Sequence, residues 1–149
     1  GCELVLYCDM VIATEKSRFG QPEIQVGVFP PIAALIFPRM MGRKKAMELI
    51  LLGETISAQE ALNLGLINKV VSESSLQEEV NGWIEKFKKL SGIVLKLTKE
   101  ATLAGLNDDL NKGLRAIEEI YLNRLMKTHD AMEGLQAFLD KRKPTWKDQ

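Results

Sequence analysis

The stretch TISAQEALNLGLINKVV, residues 55–71, contains a complete helix signal followed directly by a strand signal. Ser57 is a favourable N-cap, and Glu60 three residues later completes a capping box, in which each side chain satisfies a backbone N–H of the other residue. The helix is predicted to stop at Gly65, and the β-rich run from Leu66 to Val71 predicts a short strand. Helix alternating with strand is typical of α/β proteins, so this stretch sets the predicted fold class.

The residues before this stretch continue the alternation of helix and strand. An apolar run that is hydrophobic nearly all round predicts a buried first helix, and short β-rich runs predict strands. Pro38 would disturb the middle of one of the later helices. Helices are predicted at 1–9, 32–41 and 43–52, and strands at 9–13 and 18–20.

Beyond Ser74 the apolar residues recur only at helical spacing. The stripes are Leu76, Val80, Trp83, Phe87 and Leu90; then Leu110, Leu114, Ile117, Tyr121 and Leu125; and finally Met132, Leu135 and Leu139, which we expect to point inward. We therefore predict an α/β part at residues 1–72 and an all-helical region at 73–149. The helical stripes need partners, and another subunit is one candidate.

Composition excludes several function classes. Twenty basic and twenty acidic residues cancel, so no net field favours nucleic acid or anionic lipid as a partner. No apolar run reaches about 18 residues and no signal peptide is visible, which favours a soluble, cytoplasmic protein. Cys2 and Cys8 have no metal-ligand spacing and suit a reducing compartment. Since the sequence begins within an element and without methionine, we expect it to be a piece of a longer chain.

Two carboxylates lie in strongly apolar surroundings. Glu3 is in the predicted first helix, and Glu23 is in FGQPEIQVGVFPP, residues 19–31, directly after Pro22. An isolated carboxylate in an interior is costly to ionise, and two brought together have pKa values pushed apart, so that one can act as acid and the other as base. The alternatives are that each is a satisfied buried group, or that each is exposed on the surface.

Three separated motifs resemble the crotonase (enoyl-CoA hydratase/isomerase) superfamily. They are GCELVLYCDMVIATEKSRFGQPEIQVGVFP at 1–30, GRKKAMELILLGETISAQEALNLGLINKVV at 42–71 and THDAMEGLQAFLDKRKPTW at 128–146. They occur in family order and span essentially the whole chain. The resemblance implies a partial crotonase-type ββα spiral followed by an all-helical C-terminal region, and it corresponds to the C-terminal portion of a family member about twice this length.

The resemblance also implies an activity. It implies that Glu23 exchanges a proton with the acyl carbon chain while Glu3 activates the attacking water, as in a hydratase (a lyase) acting on acyl-CoA, with CoA as part of the substrate and no other cofactor or metal. An isomerase or a ring-opening hydrolase on the same scaffold is an alternative, although many family isomerases keep only one of the two carboxylates. The family's two oxyanion-hole donors precede Gly1, so we expect these 149 residues alone to be inactive. Alone, they could instead be a helical assembly module without chemistry.

Three further residues acquire expected roles from the resemblance. Phe138 and Lys141 match positions that often approach the adenosine-phosphate part of CoA; the alternative is that Phe138 is core and Lys141 is solvated. Pro31, in PPIAALIFPR, replaces a glycine of the common family pattern and makes the wall near the acyl group stiffer. This variant resembles hydratases that act on cyclohexa-1,5-diene-1-carbonyl-CoA. Similar proteins assemble as homo-oligomers, either a trimer or a pair of trimers.

Overall fold

Four short strands form two separate two-stranded sheets in this computed structural model, which describes residues 1–107 and 109–149. The strands are β1 (Ile12–Thr14), β2 (Arg18–Gly20), β3 (Thr55–Ser57) and β4 (Lys69–Val71). β1 and β4 pair in parallel, with Ala13 opposite Val70, whereas β2 and β3 pair antiparallel, with Phe19 opposite Ile56. A parallel pair needs a long crossover connection, and here that connection carries helices. The predicted α/β class is confirmed.

The chain divides into two compact units, Gly1–Gly82 and Trp83–Gln149. The first unit contains α1 (Cys2–Leu6), α2 (Pro31–Met41), α3 (Arg43–Leu52) and α4 (Ala58–Asn63), together with a 3₁₀ turn at Pro22–Val26. Its core lies between α2, α3, α4 and the strands, and Phe37 of α2 is its largest fully buried apolar side chain. α2 continues to Met41 as predicted, but the expected disturbance by Pro38 is wrong, because the helix continues through this residue without a break.

The capping box at α4 forms as predicted. The Ser57 hydroxyl accepts a hydrogen bond from the backbone N–H of Glu60 at 3.2 Å, and the Glu60 carboxylate accepts one from the backbone N–H of Ser57 at 2.8 Å. The chain leaves the helix through Gly65, whose φ of 75° is left-handed. The following strand is shorter than predicted, because Leu66 and Ile67 are buried in the core before the pairing of β4 begins.

The prediction that the first helix is buried is wrong. α1 has no buried residue, and Leu4 and Tyr7 are largely exposed. Only one side of the helix contacts the core, through Cys2, Val5 and Leu6. An apolar composition all round therefore does not predict burial for so short a helix.

All the regular secondary structure described in the second unit is helical, as predicted, and residues 143–149 follow the last helix without regular structure. α5 (Leu76–Phe87) contains the boundary between the units, and it is followed by α6 (Gly92–Asn107), α7 (Leu110–Glu119) and α8 (His129–Leu139). A π turn at Ile120–Arg124 and a 3₁₀ turn at Leu125–Lys127 connect α7 to α8. None of the described helices is both long and apolar enough to cross a membrane.

The inward orientation predicted for the large residues of α8 is wrong. Met132, Leu135 and Leu139 are exposed, whereas Asp130 and Ala137 are buried. The packed side of α8 is lined by small and polar residues, so its large apolar residues lie on the other face. Leu110 and Leu114 of α7 are exposed in the same way.

Candidate functional site

Glu3 caps the N-terminus of α2. One carboxylate oxygen, Oε1, accepts hydrogen bonds from the backbone N–H groups of Ile32 at 3.0 Å and Ala33 at 3.3 Å. The first N–H groups of a helix have no partner within the helix, and the helix dipole favours a negative charge there. Because Pro30 at the N-cap provides no side-chain cap, Glu3 supplies it from α1. The carboxylate is half-buried and held in one orientation.

Glu23 lies in the 3₁₀ turn that Pro22 begins, and it is also half-buried. The side-chain amide of Gln21 lies against this carboxylate, and in the orientation that satisfies its hydrogen bonds its NH₂ group donates to both carboxylate oxygens, each at 3.2 Å. The turn ends at Gly27, whose φ of 84° is left-handed and whose N–H donates to the backbone carbonyl of Ile24 at 3.2 Å. A rigid turn and a buried amide therefore hold this carboxylate.

Gln21 is a site residue that the sequence analysis missed. Its side chain is only 1% exposed. Burying an amide without hydrogen-bond partners is costly, and the contact with Glu23 offsets that cost. The sequence offered one indication of this role, because the Gln21 amide directly precedes Pro22-Glu23 in a mostly apolar run.

Both carboxylates affect the pKa of the Cys2 thiol. Burial raises the pKa of this thiol, a hydrogen bond with the Gly20 backbone lowers it, and the negative charges of Glu23 and Glu3 both raise it further. A charge acts strongly on a group only at short range, since solvent screens distant charges. Both predicted carboxylates therefore act electrostatically on the Cys2 thiol, in the first turn of α1.

Pro31 occupies the first position of α2, next to the residues whose N–H groups bind Glu3. Proline fits this position because its missing N–H would have no partner in the helix. In the same helix Ala33 is fully buried in the core, whereas Ala34 is exposed. Pro31 thus fixes the start of the helix that Glu3 caps.

Phe138 and Lys141 belong to the second unit, whereas Glu3 and Glu23 belong to the first. Phe138 is 81% exposed, so the alternative that it is a core residue is wrong. Lys141 follows α8 and is exposed, with a left-handed φ of 52°. Within the residues that the structure describes, no group of three or more His, Cys, Asp or Glu side chains could hold a metal ion.

Asp130 is the most deeply buried carboxylate described. It accepts hydrogen bonds from the Ser91 hydroxyl at 2.5 Å and from the backbone N–H groups of Lys147 at 2.8 Å and Asp148 at 2.9 Å, and His129 Nδ1 lies 3.1 Å away. Burial disfavours its ionised form, but these hydrogen bonds outweigh burial and hold the pKa of Asp130 well below its ordinary range. Its donors are structural, so its role is to fasten the C-terminal segment to α8.

Glu133 is the second carboxylate that holds this segment. The Arg142 guanidinium hydrogen-bonds to it and the Thr145 N–H adds another bond; together they outweigh burial and lower the pKa of Glu133 to about 2. A lowered folded-state pKa means that the ionised carboxylate stabilises the fold above the unfolded pKa, 4.5, and that this contribution is lost as the pH falls towards about 2.

This lowered pKa predicts a pH-dependent difference between wild type and Glu133→Gln. The melting temperature of Glu133→Gln should be lower than that of wild type above pH 4.5, and the two should converge as the pH falls to about 2. Thermal melts across this range measure the difference, with Glu118→Gln, an exposed glutamate of α7, as the matched control. A difference between wild type and Glu133→Gln that does not change with pH would contradict the assigned role.

The chain is similar to known proteins over nearly its whole length. The profile of the enoyl-CoA hydratase/isomerase family matches residues 1–149. The chain is 42% identical over 149 residues to a probable mitochondrial enoyl-CoA hydratase of Dictyostelium discoideum, covering 98% of this chain and 53% of the relative. It is 41% identical over 148 residues to a probable enoyl-CoA hydratase of Rhizobium meliloti (strain 1021), covering 99% of this chain and 57% of the relative.

Solved structures agree with the sequence comparison. The crystal structure of enoyl-CoA hydratase from Bacillus anthracis superimposes with a TM-score of 0.90 at 38% identity, over 100% of this chain and 58% of that one. Human enoyl-CoA hydratase domain-containing protein 3 superimposes with a TM-score of 0.87 at 40% identity, over 97% of this chain and 57% of that one. The predicted crotonase-type fold is confirmed, and the chain spans about half the length of the curated relatives that it matches.

Proposed function

Because the chain belongs to the enoyl-CoA hydratase/isomerase family, we propose that the whole protein is an acyl-CoA hydratase. It would be a lyase that adds water across a conjugated C=C bond of an enoyl- or dienoyl-CoA thioester. The observation that supports this activity best is the pair of carboxylates, Glu3 and Glu23, each held by hydrogen bonds and both acting on the Cys2 thiol. Two positioned carboxylates are what acid and base catalysis of hydration requires.

The proposed reaction divides the work between the two carboxylates. Glu3, oriented by the N-terminus of α2, accepts a hydrogen bond from the water and directs its oxygen to the β-carbon. Glu23, oriented by Gln21, supplies the proton that the α-carbon receives. The proton that the water loses replaces the proton that Glu23 gave to the α-carbon, so both carboxylates return to their starting state. The net change is the addition of H and OH across the C=C bond. Backbone donors that polarise the thioester carbonyl are implied by the family resemblance.

A cyclic dienoyl-CoA is the substrate that we propose, because Pro31 stiffens the start of α2 beside the Glu3 contact. The full-length protein should hydrate cyclohexa-1,5-diene-1-carbonyl-CoA with a kcat/KM at least about tenfold above that for crotonyl-CoA, the scale on which an apolar pocket discriminates. Following the enoyl absorbance measures both rates. A preference for crotonyl-CoA would contradict the substrate, and hydration of neither would contradict the hydratase. The 149-residue chain assayed alone should be inactive.

The C-terminal region completes the proposal. Phe138 and Lys141 contact the adenosine-phosphate part of CoA, which the exposure of both side chains supports. CoA enters as part of the substrate, with no other cofactor. The exposed apolar residues of the second unit suit assembly into a trimer or a pair of trimers: Leu106, Leu110, Leu114, Leu122, Met132, Leu135 and Leu139. We keep the cytoplasm as the proposed location, although the names of several relatives place those proteins in mitochondria.

An isomerase or a ring-opening hydrolase of the same family is the second candidate for the whole protein. The presence of both Glu3 and Glu23 favours the hydratase over the isomerase. For the 149-residue chain alone, the same exposed apolar faces favour an assembly module without chemistry. Sedimentation of that chain distinguishes the cases, because a strictly monomeric, well-folded species would contradict an assembly role.

A further inference from the structure

We propose that the Glu133–Arg142 ion pair positions Lys141, by holding its backbone in the left-handed conformation that presents the Lys141 ammonium to a phosphate of CoA. This inference rests on the proposed function, which assigns Lys141 to the nucleotide part of the substrate. Glu133 and Arg142 are positioning residues in this proposal, since they act through Lys141 and do not touch the substrate themselves.

The backbone at Lys141 has the geometry of a Schellman motif. The Arg142 N–H donates to the carbonyl of Ala137 at 3.0 Å, and the Lys141 N–H donates to the carbonyl of Phe138 at 3.3 Å. The residue between the last helical turn and this closing bond must adopt a left-handed φ, which is 52° at Lys141. Glycine is the usual residue there because a side chain makes the conformation unfavourable. Lysine at this position is therefore a strained choice.

The strain is compensated by the residues on either side of Lys141. Arg142 donates from Nη1 and Nη2 to the two oxygens of Glu133, at 2.7 and 2.9 Å, and from Nε to Asp140 at 3.4 Å. A two-pronged contact between a guanidinium and a carboxylate fixes direction as well as distance. The Glu133 carboxylate also accepts from the Thr145 N–H at 2.8 Å, so the chain is held on the far side of Arg142 as well.

The C-terminal segment, residues 143–149, adds a second anchor. The Trp146 indole N–H donates to the Lys89 carbonyl at 2.9 Å, and its ring lies where a Cβ on Gly134 would approach to 3.3 Å. Asp130 accepts from the Lys147 and Asp148 N–H groups as described above. Surrounding structure that is fixed at several points is what allows a strained backbone conformation to persist.

The charges around Lys141 indicate why a lysine, and not the usual glycine, occupies this left-handed position. Within residues 1–107 and 109–149, Arg142 makes two ion pairs while Lys141 makes none. The Arg142 guanidinium thus holds the backbone through its ion pairs, whereas the neighbouring Lys141 ammonium can bind an anion. A phosphate of the substrate is the anion that the proposed function supplies.

A double-mutant cycle in the full-length protein tests the inference. Lys141→Met should raise KM for the acyl-CoA about tenfold, equivalent to about 1.4 kcal/mol, and should leave KM for the same acyl-pantetheine thioester unchanged. Glu133→Gln should raise KM for the acyl-CoA about threefold or more, because the ammonium is no longer held in place. In the Lys141→Met background, Glu133→Gln should add nothing. Glu118→Gln is the matched control and should change neither KM.

The possible failures are distinguishable. If Lys141→Met leaves KM for the acyl-CoA unchanged, both the CoA assignment and the inference are overturned. If Lys141→Met acts as expected but the effect of Glu133→Gln is the same in both backgrounds, the CoA assignment stands and the positioning role is overturned. Arg142→Lys guards against misfolding of Glu133→Gln, since it keeps an ion pair and loses only the two-pronged geometry. Its smaller rise in KM should likewise vanish in the Lys141→Met background.

Discussion

Replacing either Glu3 or Glu23 with glutamine is expected to lower the kcat of the full-length protein by about 10²–10⁴-fold, the usual contribution of a positioned acid or base. Glutamine cannot accept the proton of an attacking water or deliver a proton to a carbon atom. KM should change much less, because binding of CoA does not use these side chains. Initial rates with a conjugated dienoyl- or enoyl-CoA measure both parameters.

Glutamine keeps the hydrogen bonds around position 3, whereas at position 23 it retains only one of the two oxygens that accept from the Gln21 amide. Its amide oxygen at position 3 can still accept from the Ile32 and Ala33 N–H groups, so α2 should keep its cap. Glu15→Gln, in an exposed turn of the same unit, is the matched control and should retain wild-type kcat. If Glu3→Gln turns over normally while Glu23→Gln does not, Glu3 does not activate the water, and an isomerase with one working carboxylate becomes the better assignment.

Phe37→Ala should destabilise the first unit by about 3–5 kcal/mol, the usual cost of truncating a fully buried aromatic ring. Phe37 is 1% exposed and belongs to the core that also contains Ala33, Ala46 and Leu49. Since domains are typically stable by about 5–15 kcal/mol, the loss would remove a large share of the total. The midpoint and slope of urea denaturation, followed by circular dichroism, measure the free energy of unfolding.

Phe138→Ala makes the same truncation at a ring that is 81% exposed. It should change stability by no more than about 0.5 kcal/mol, while weakening binding of the acyl-CoA if the proposed contact is made. Phe37→Ala therefore measures the contribution of a buried ring to stability, and Phe138→Ala measures the contribution of an exposed ring to binding of the acyl-CoA. Equal destabilisation by both would show that the Phe138 ring is packed against protein in the full-length molecule, and the proposed contact of Phe138 with CoA would be contradicted.

Contacts between residues close in the sequence were predictable, whereas contacts between distant residues were not. The Ser57–Glu60 capping box, the exit through Gly65 and the helical nature of the second unit were all predictable, because each depends on residues within a few positions of one another. The fold class followed from the same local signals. The Glu3 and Glu23 pair needed the family resemblance, because their apolar surroundings alone left a surface or structural role open.

The sequence by itself determined the fold class, the capping box that begins α4 and which two carboxylates to examine, since hydrogen bonds between near neighbours are encoded by short patterns. Only the tertiary structure decided that Glu3 caps α2 twenty-nine residues away, that Gln21 is buried against Glu23, and which face of α8 is packed. Such contacts depend on which surfaces meet after the chain has collapsed. The spacing of apolar residues predicts that a face is apolar, but it does not identify the partner that covers it.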